Sequence, residues 1–327
     1  MKILIVRLGA LGDIVHTVPA AAALRRGLPS AQIDWLVDER HREAVDLVHG
    51  IDTRIAVDPS GKWRELPAIV RRLRATHYDA ALDFQGLLKS AVLARLSGAV
   101  RVAGFSRHAL RERTAAVFYT EHRGVPRGQH VIGKNLRLAS VLGVDVSDVA
   151  FPFDVPRQQP AVDGPYAILN PGAAWPNKRW PPGCFGEIAS WLRDRHGLPS
   201  LVLWGPAEGD LARAVAEASG GAARPAPPTR IGDVLALARG ARLMVSGDTG
   251  PLHLAAAVGT PIVGLYGPTS PERNGPWRSA DVSISRNREC VCHHQRRCHL
   301  RHRRPCIEHI TVAEVREAID QRLRTPR

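Results

Sequence analysis

Polar side chains gather in a glycine-containing segment near the C-terminal end of the sequence, at residues 246–257 (SGDTGPLHLAAA). Asp248, Thr249, Gly250 and His253 stand there between an apolar run and a helix-forming stretch. Glycine permits close backbone approach, and the N–H groups and partial positive charge of a helix N-terminus favour a diphosphate. The segment therefore predicts a phosphate-binding loop. An ordinary strand-to-helix turn, in which Asp248 or Thr249 caps the helix, uses the same residue types.

A second polar segment, at residues 170–181 (NPGAAWPNKRWP), follows the first apolar run of the second half of the chain. Its Lys178 is long enough to bring a point charge to the same phosphate. A single loop lysine is more commonly solvated, so spacing alone leaves both roles open.

The third segment is RLGALGD at residues 7–13, directly after the N-terminal apolar run. It lacks the G-x-G-x-x-G spacing of a dinucleotide-binding loop. It ends instead on Asp13, where a helix is expected to begin. A carboxylate at this place can act as a general base if its pKa and geometry suit, whereas helix capping is the commoner role of such an aspartate.

Strand and helix patterns alternate along the first half of the chain. A helix is expected from the turn at residues 9–12 to about residue 26. The other predicted elements are strands at 2–7, 32–37, 53–57 and 79–84 and helices at 64–76 and 87–97. Alternation at this pitch predicts a parallel sheet covered on both faces.

The same alternation resumes after residues 143–165, which are rich in Pro and Asp, lack a helical period and predict an inter-domain linker. The later predicted elements are strands at 166–170, 199–204, 242–246 and 261–266 and helices at 183–195, 208–219, 231–239, 250–258 and 311–323. A chain of 327 residues that is 44% hydrophobic can build two domains with separate cores. We expect domains at 1–155 and 156–327.

The predicted class is α/β, with two Rossmann-like doubly wound domains facing a central cleft. Ligands of such sheets bind at the carboxyl ends of the strands, where the loops meet helix N-termini. The three polar segments all follow predicted strands and are therefore placed where ligands bind.

The chain is strongly basic, with a formal net charge of +14 from 45 Lys and Arg against 31 Asp and Glu. Such a surplus favours anionic partners such as nucleic acid, acidic lipid headgroups or phosphorylated sugars, although free use of Arg by a GC-rich genome also produces it. No secretion signal is visible, and no apolar run reaches the ~20 residues that span a bilayer. We expect a cytoplasmic protein that at most touches the inner face of the inner membrane.

Four of the five cysteines lie close together, at Cys290, Cys292, Cys298 and Cys306. Their C-x-C-x5-C-x7-C spacing is interleaved with histidines at 293, 294, 299, 302 and 309, and its first step is tighter than that of a zinc finger. Four thiolates suit a structural Zn or Fe ion, and unpaired thiols are the alternative. The seven Arg between 286 and 304 fit contact with an anionic lipid or a solvated loop.

Several motifs together resemble the glycosyltransferase family of ADP-heptose:lipopolysaccharide heptosyltransferases, glycosyltransferase family 9. They are ILIVRLGALGDIVHTVPA (3–20), PGAAWPNKRWP (171–181) and GDTGPLHLAAAVGTPIVGLYGPT (247–269). IDWLVDE (33–39) and DFQGLLKSA (83–91) are more similar to the heptosyltransferase I branch, which acts on the inner-core Kdo residue. The resemblance covers nearly the whole chain. It implies a GT-B fold and transfer of heptose from ADP-heptose to an anionic lipopolysaccharide precursor, with inversion and without a catalytic metal or other cofactor.

The resemblance also implies roles for individual residues. Asp13 matches the general base that activates the acceptor hydroxyl. The implied donor-binding residues are Lys178, Glu208, Asp248, Thr249, Gly250 and His253. The implied acceptor-binding residues are Arg7, Gly12, Arg111 and Arg113. Ala173 and Ala174 stand where some members have a Thr pair, so a hydroxyl contact to phosphate is lost. Some relatives bind iron in a Cys-rich tail.

Three other functions are compatible with the sequence. One is a transferase of the same family with another donor sugar or acceptor, such as the second heptose, another glycan or a protein. Another is a nucleic-acid-binding protein, which the charge favours, but no RRM, helix-turn-helix or zinc-finger pattern appears, so no nucleic-acid partner is expected. The third is a sugar-nucleotide epimerase, against which the Asp13 motif argues by resemblance.

Overall fold

The chain forms two compact units, Met1–Asp154 and Val155–Arg327. The computed structural model describes residues 1–58, 66–157, 164–298 and 306–326. Each unit contains a six-stranded sheet whose paired strands all run parallel. The two-domain α/β architecture predicted from the sequence is confirmed.

The first sheet has the order β3-β2-β1-β4-β5-β6. Its strands β1–β6 are Lys2–Val6, Gln32–Asp38, Thr53–Val57, Ala80–Asp83, Arg101–Phe105 and Glu121–Arg123. The helices α1–α6 of this unit are Leu11–Val15, Val18–Gly27, Arg42–Asp46, Leu66–Thr76, Leu88–Leu96 and Val131–Ala139. The central strand β1 is buried from Ile3 to Val6, because a parallel sheet is covered on both faces.

One predicted helix is in fact two. The stretch expected to be helical to about residue 26 is interrupted at His16 and Thr17, between α1 and α2. Pro19 lies in the first turn of α2, where its missing N–H is tolerated, and it cannot stand inside a continuous helix without removing a hydrogen bond. The predicted helix 64–76 is observed as α4 from Leu66, and residues 64 and 65 lie outside the described part of the chain.

The second sheet has the order β12-β11-β10-β7-β8-β9. Its strands β7–β12 are Ala167–Asn170, Ser200–Val202, Ala223–Pro225, Leu243–Gly247, Ile262–Tyr266 and Val282–Ser285. The helices α7–α12 of this unit are Pro182–His196, Gly209–Ala218, Ile231–Gly240, Gly250–Ala257, Pro271–Asn274 and Val312–Arg324. Numbered within its own unit, each sheet has the strand order 3-2-1-4-5-6 of the Rossmann fold.

The C-terminal helix α12 closes the second unit with the apolar face that the sequence predicts. Val315 and Ile319 are fully buried in the core, and Val312 and Leu323 pack partly against it. Thr311 and Glu314 form a capping box at its N-terminus. No helix within the described ranges has both the length and the apolarity to cross a membrane.

The strand order determines where loops can form a binding site. In each sheet the order reverses between the first and fourth strands, which are β1 and β4 in the first unit and β7 and β10 in the second. Ligands of open α/β sheets bind outside the carboxyl ends of the strands at this switch point. The three polar segments of the sequence follow β1, β7 and β10, so both switch points carry them.

Candidate functional site

The switch point of the second unit is organised around a buried carboxylate. Asp248 follows β10, and its side chain is 5% exposed. Lys178 Nζ donates to Asp248 Oδ2 at 2.6 Å, and Asn274 Nδ2 donates to Oδ1 at 2.7 Å. His253 Nε2 lies 3.1 Å from the same Oδ1. Residues from three separate segments thus converge on one side chain.

These partners keep Asp248 charged. Burial by itself raises the pKa of this carboxyl. The hydrogen bond with His253 and the positive charge of Lys178 outweigh burial and hold the pKa of Asp248 well below its usual range. Lys178 Nζ also lies 4.6 Å from the centre of the Trp175 ring, which fixes the ammonium group on a second side.

Hydroxyl and amide groups tie the end of β7 to the end of β10. Asn170 Nδ2 donates to Ser246 Oγ at 2.9 Å and to Thr249 Oγ1 at 3.0 Å, and the two hydroxyl oxygens are 3.1 Å apart. Thr249 stands at the N-cap position of α10, yet its side chain makes no capping hydrogen bond. Neither Thr249 nor Asp248 therefore caps this helix with its side chain. The first turn of α10, which begins at Gly250, can instead present its N–H groups to an anion.

Glu208 lies against the loop that follows β7. Its carboxylate accepts a hydrogen bond from Gly205 N at 3.0 Å, and its Oε1 lies 3.5 Å from Arg179 Nη2. Gly172 permits this approach, since a Cβ at that position would clash with Glu208 Oε2. Arg179 Nε in turn donates to Ala173 O at 2.9 Å, which holds the loop in place.

In the first unit, the segment after β1 pairs Arg7 with Asp13. Arg7 Nη2 lies 2.8 Å from Asp13 Oδ1, and the side chains are 7% and 38% exposed. Arg7 Nη1 donates to Phe84 O. Asp13 lies in the first turn of α1, whose N-cap is Ala10, so it does not cap the helix. The Asp13 carboxylate is therefore held by Arg7 and remains accessible near the carboxyl end of β1.

The loop after β4 supports that segment from the neighbouring strand. Gln85 Oε1 accepts hydrogen bonds from the backbone N–H groups of Leu8 and Gly9, at 3.1 and 3.3 Å. Asp83, which is fully buried, accepts hydrogen bonds from Ser90 Oγ at 2.9 Å and Tyr119 OH at 2.7 Å. Burial nevertheless raises the pKa of Asp83.

The implied acceptor-binding residues follow strands β1 and β5 of this sheet. Gly12 is in α1 beside Asp13. Arg111 and Arg113 are exposed on the segment that follows β5, the neighbour of β4. Between them, Glu112 Oε2 accepts a hydrogen bond from Leu88 N at 2.7 Å and thereby anchors the segment to the start of α5.

The cysteine segment, residues 290–298 together with Cys306, brings its thiols into pairs. Cys292 Sγ and Cys298 Sγ are 3.5 Å apart. Burial, followed by the hydrogen bond with Cys290, raises the pKa of the Cys306 thiol to about 12. Among the residues that the structure describes, no three His, Cys, Asp or Glu side chains form a complete ligand set for a metal ion. His299 and His302 lie outside that part of the chain.

Sequence reasoning missed two contributing residues, one in each unit. Asn274 reaches Asp248 from α11, 26 positions further along the chain, and no motif in the sequence marks it. Gln85 is part of the DFQGLLKSA motif, but its role in holding the Leu8 and Gly9 N–H groups comes from the pairing of β1 with β4.

Two solved structures define the class to which this fold and its switch-point loops belong. E. coli heptosyltransferase WaaC with ADP has a TM-score of 0.81 and 25% identity to this protein, over 98% of this chain and 100% of that chain. The E. coli WaaC structure with ADP-2-deoxy-2-fluoro heptose has a TM-score of 0.79 and 25% identity, over 98% and 99% of the two chains. The fold is that of a GT-B glycosyltransferase.

Comparison at the level of sequence is more specific. The model of glycosyltransferase family 9 (heptosyltransferase) matches residues 67–303. Lipopolysaccharide heptosyltransferase 1 of Pseudomonas aeruginosa is 32% identical over 306 residues, which are 89% of this chain and 85% of that protein. The chain belongs to glycosyltransferase family 9, the heptosyltransferases, as its motifs predicted.

Proposed function

We propose that this enzyme transfers a heptose from ADP-heptose to the Kdo inner core of a lipopolysaccharide precursor. The observation that carries the proposal is the buried Asp248–Lys178 pair at the N-terminus of α10, placed at the switch point of a Rossmann-like sheet. Such a place suits the diphosphate of a nucleotide sugar. The similarity of this chain to lipopolysaccharide heptosyltransferases 1 supports the choice of sugar and acceptor.

The second unit is proposed to bind the donor. The first-turn N–H groups of α10 and the ammonium group of Lys178 stabilise the negative charge that develops on the leaving ADP, so that no catalytic metal or other cofactor is required. Thr249, Gly250 and His253 line this place, and Glu208 is assigned to the ribose of the donor. The roles of Thr249, Gly250 and His253 rest on their positions at the start of α10, and that of Glu208 rests on the family resemblance.

The first unit is proposed to bind the acceptor. Asp13 removes the proton of the acceptor hydroxyl, whose oxygen then attacks the anomeric carbon as the bond to ADP breaks. Attack from the face opposite to ADP inverts the anomeric configuration. Arg7 orients the Asp13 carboxylate through the contact at 2.8 Å. Arg7, Gly12, Arg111 and Arg113 are assigned to contacts with the anionic acceptor.

The proposed acceptor also suggests where the protein works. We propose that it acts in the cytoplasm, at the inner face of the inner membrane, where a lipid-linked precursor is presented. The net charge of +14 supports this, since basic proteins are attracted to anionic lipid surfaces. Membrane recruitment needs no spanning helix when it depends on surface charge.

A donor and acceptor panel tests the assignment. The protein is incubated in EDTA with ADP-heptose, GDP-mannose or UDP-glucose, each with a Kdo-bearing or a heptosylated lipid A, and products are analysed by mass spectrometry and NMR. We expect preference for ADP-heptose with the Kdo acceptor and a product linkage of inverted anomeric configuration. Preference for the heptosylated acceptor would identify a second-heptose transferase, and retention of configuration would exclude the role given to Asp13.

The cysteine segment is proposed to hold a structural Zn or Fe ion. Four soft thiol donors suit either metal, and a tetrahedral site with ligand distances of ~2.3 Å spaces its sulfur atoms about 3.8 Å apart, close to the 3.5 Å between Cys292 and Cys298. Cys306 and Cys290 form the second contacting pair. Binding of one ion requires the two sulfur pairs to converge on a common point, and the ion would then hold the segment together.

Metal analysis of the purified protein checks this proposal. We expect about one Zn or Fe per chain by inductively coupled plasma mass spectrometry, and loss of the metal in a Cys292→Ser, Cys298→Ser double variant, because two of four ligands are removed. Cys184→Ser is the matched control, since Cys184 lies outside the segment and should leave the metal content unchanged. Metal-free protein, or equal metal in all three proteins, contradicts the proposal.

A further inference from the structure

The cysteine segment lies directly against the loop that carries Lys178. Asn177, which is 4% exposed, donates from Nδ2 to Gln295 O at 2.9 Å. The segment is also held by His294 N, which donates to Pro268 O at 3.0 Å. The segment therefore borders the Asp248 site, although its cysteines lie outside the sequence motifs that form that site.

A cavity of about 670 Å³ opens between the segment and the loop. Its lining residues are Ala174, Pro176, Arg179, Gln295, Arg296 and Arg297. Three of the six are arginines and none is acidic. The volume is within the range of small-ligand pockets, which is about 300–1,000 Å³. The cavity thus offers an anion a concentrated positive wall.

The cysteine segment also contacts the Lys178 loop through an arginine side chain at the cavity. Arg296 Nη2 reaches to 3.5 Å from Ala174 O, four positions before Lys178. The guanidinium group of Arg296 therefore lies against the same loop at the cavity.

Without Arg296 and Arg297, the charged side chains around Asp248 leave little net positive charge for a diphosphate. The ammonium group of Lys178 is paired with the Asp248 carboxylate at 2.6 Å, so the two charges nearly cancel. Arg179 is partly offset by Glu208 at 3.5 Å. Within the described ranges no carboxylate lies within ion-pair distance of Arg296 or Arg297. A diphosphate carries at least two negative charges, and the guanidinium fork matches its oxygens.

We propose that Arg296 and Arg297 bind the diphosphate of the nucleotide-sugar donor, so that the cysteine segment forms one wall of the donor site. This rests on the proposed function, since it assumes that the donor diphosphate lies at the start of α10. The cysteine pairs then have a function in binding as well as in structure, because they hold the two arginines against the Lys178 loop.

Direct ligand binding tests the proposal on the full-length protein. Arg296→Gln, Arg297→Gln and the double variant are compared with wild type by isothermal titration calorimetry, using ADP and adenosine as probes. We expect the double variant to bind ADP roughly ten- to a hundredfold more weakly, because charge-assisted hydrogen bonds to phosphate are removed, while adenosine binding is unchanged. Arg288→Gln, an exposed arginine of the preceding turn outside the cavity, should bind ADP like wild type.

Steady-state kinetics shows whether the anion that Arg296 and Arg297 bind belongs to the donor or to the acceptor. A raised KM for ADP-heptose with an unchanged KM for the acceptor supports the proposal. ADP binding that is the same in the double variant and wild type overturns it, as does a raised KM for the acceptor alone. Loss of ADP affinity in a protein that transfers no heptose to any acceptor would support the arginine wall while contradicting the proposed reaction.

Discussion

Replacing Asp13 by Asn is expected to lower kcat by about 10²–10⁴, the range that loss of a general base produces. Asp13 is suited to that role because its carboxylate is partly exposed, at 38%, while Arg7 holds it at 2.8 Å from a buried position. Asn keeps the size of the side chain and an oxygen that can accept from Arg7, so the loop should keep its shape. Turnover of ADP-heptose by the purified variant measures the effect.

The matched control for this prediction is Asp148→Asn. Asp148 belongs to the same unit and also pairs with an arginine, Arg26, at 3.3 Å, but its side chain is 68% exposed. This variant should turn over like wild type, since an exposed pair contributes little. An Asp13→Asn enzyme that also turns over like wild type would remove Asp13 from the mechanism and leave the fold and family unaffected.

Replacing Asp248 by Ala is expected to destabilise the second unit by ~3–5 kcal/mol, the cost of breaking a buried ion pair by removing one partner. Lys178 would be left charged with 14% of its side chain exposed, and Asn274 would lose its acceptor. Urea unfolding measures the change in free energy. Asp210→Ala, which removes an exposed partner of Arg213 in the same unit, should change the free energy of unfolding little.

The contribution of Asp248 also depends on pH. Its pKa in the folded protein is held below the ordinary value of about 3.9, so the folded state binds fewer protons than the unfolded state. The stabilisation is therefore fully present above about pH 4 and is lost as the pH falls towards the folded pKa. The difference between wild type and Asp248→Ala should shrink below pH 4, and a difference that is constant from pH 7 to pH 3 contradicts this account.

The long apolar runs were sufficient to predict the central strands of both sheets. Residues 2–7, 166–170 and 242–246 are observed as β1, β7 and β10, and no end is shifted by more than one residue. Buried parallel strands form such runs because both of their faces are covered. Because these strands flank the switch points, their prediction also placed Asp13, Lys178 and Asp248 in the loops at the switch points.

The outer strands and several contacts could not be predicted in the same way. Strands β6 and β9 have only three residues each, most of them partly or fully exposed, so no apolar run marks them, whereas the equally short β8 is fully buried. The distinct break between α1 and α2 depends on a single proline. The contact of Asn274 with Asp248 and that of Gln295 with Asn177 join segments 26 and 118 residues apart, so they exist only after the chain has folded.

Transfer of heptose to the Kdo inner core is tested most directly by release of ADP from ADP-heptose, measured with and without a Kdo-bearing lipid A. We expect release that depends on the acceptor and yields a lipid carrying one added heptose. Absence of release with the Kdo acceptor, under conditions in which the protein is folded and binds ADP, would contradict the assignment of the acceptor and move the reaction to another substrate of the family.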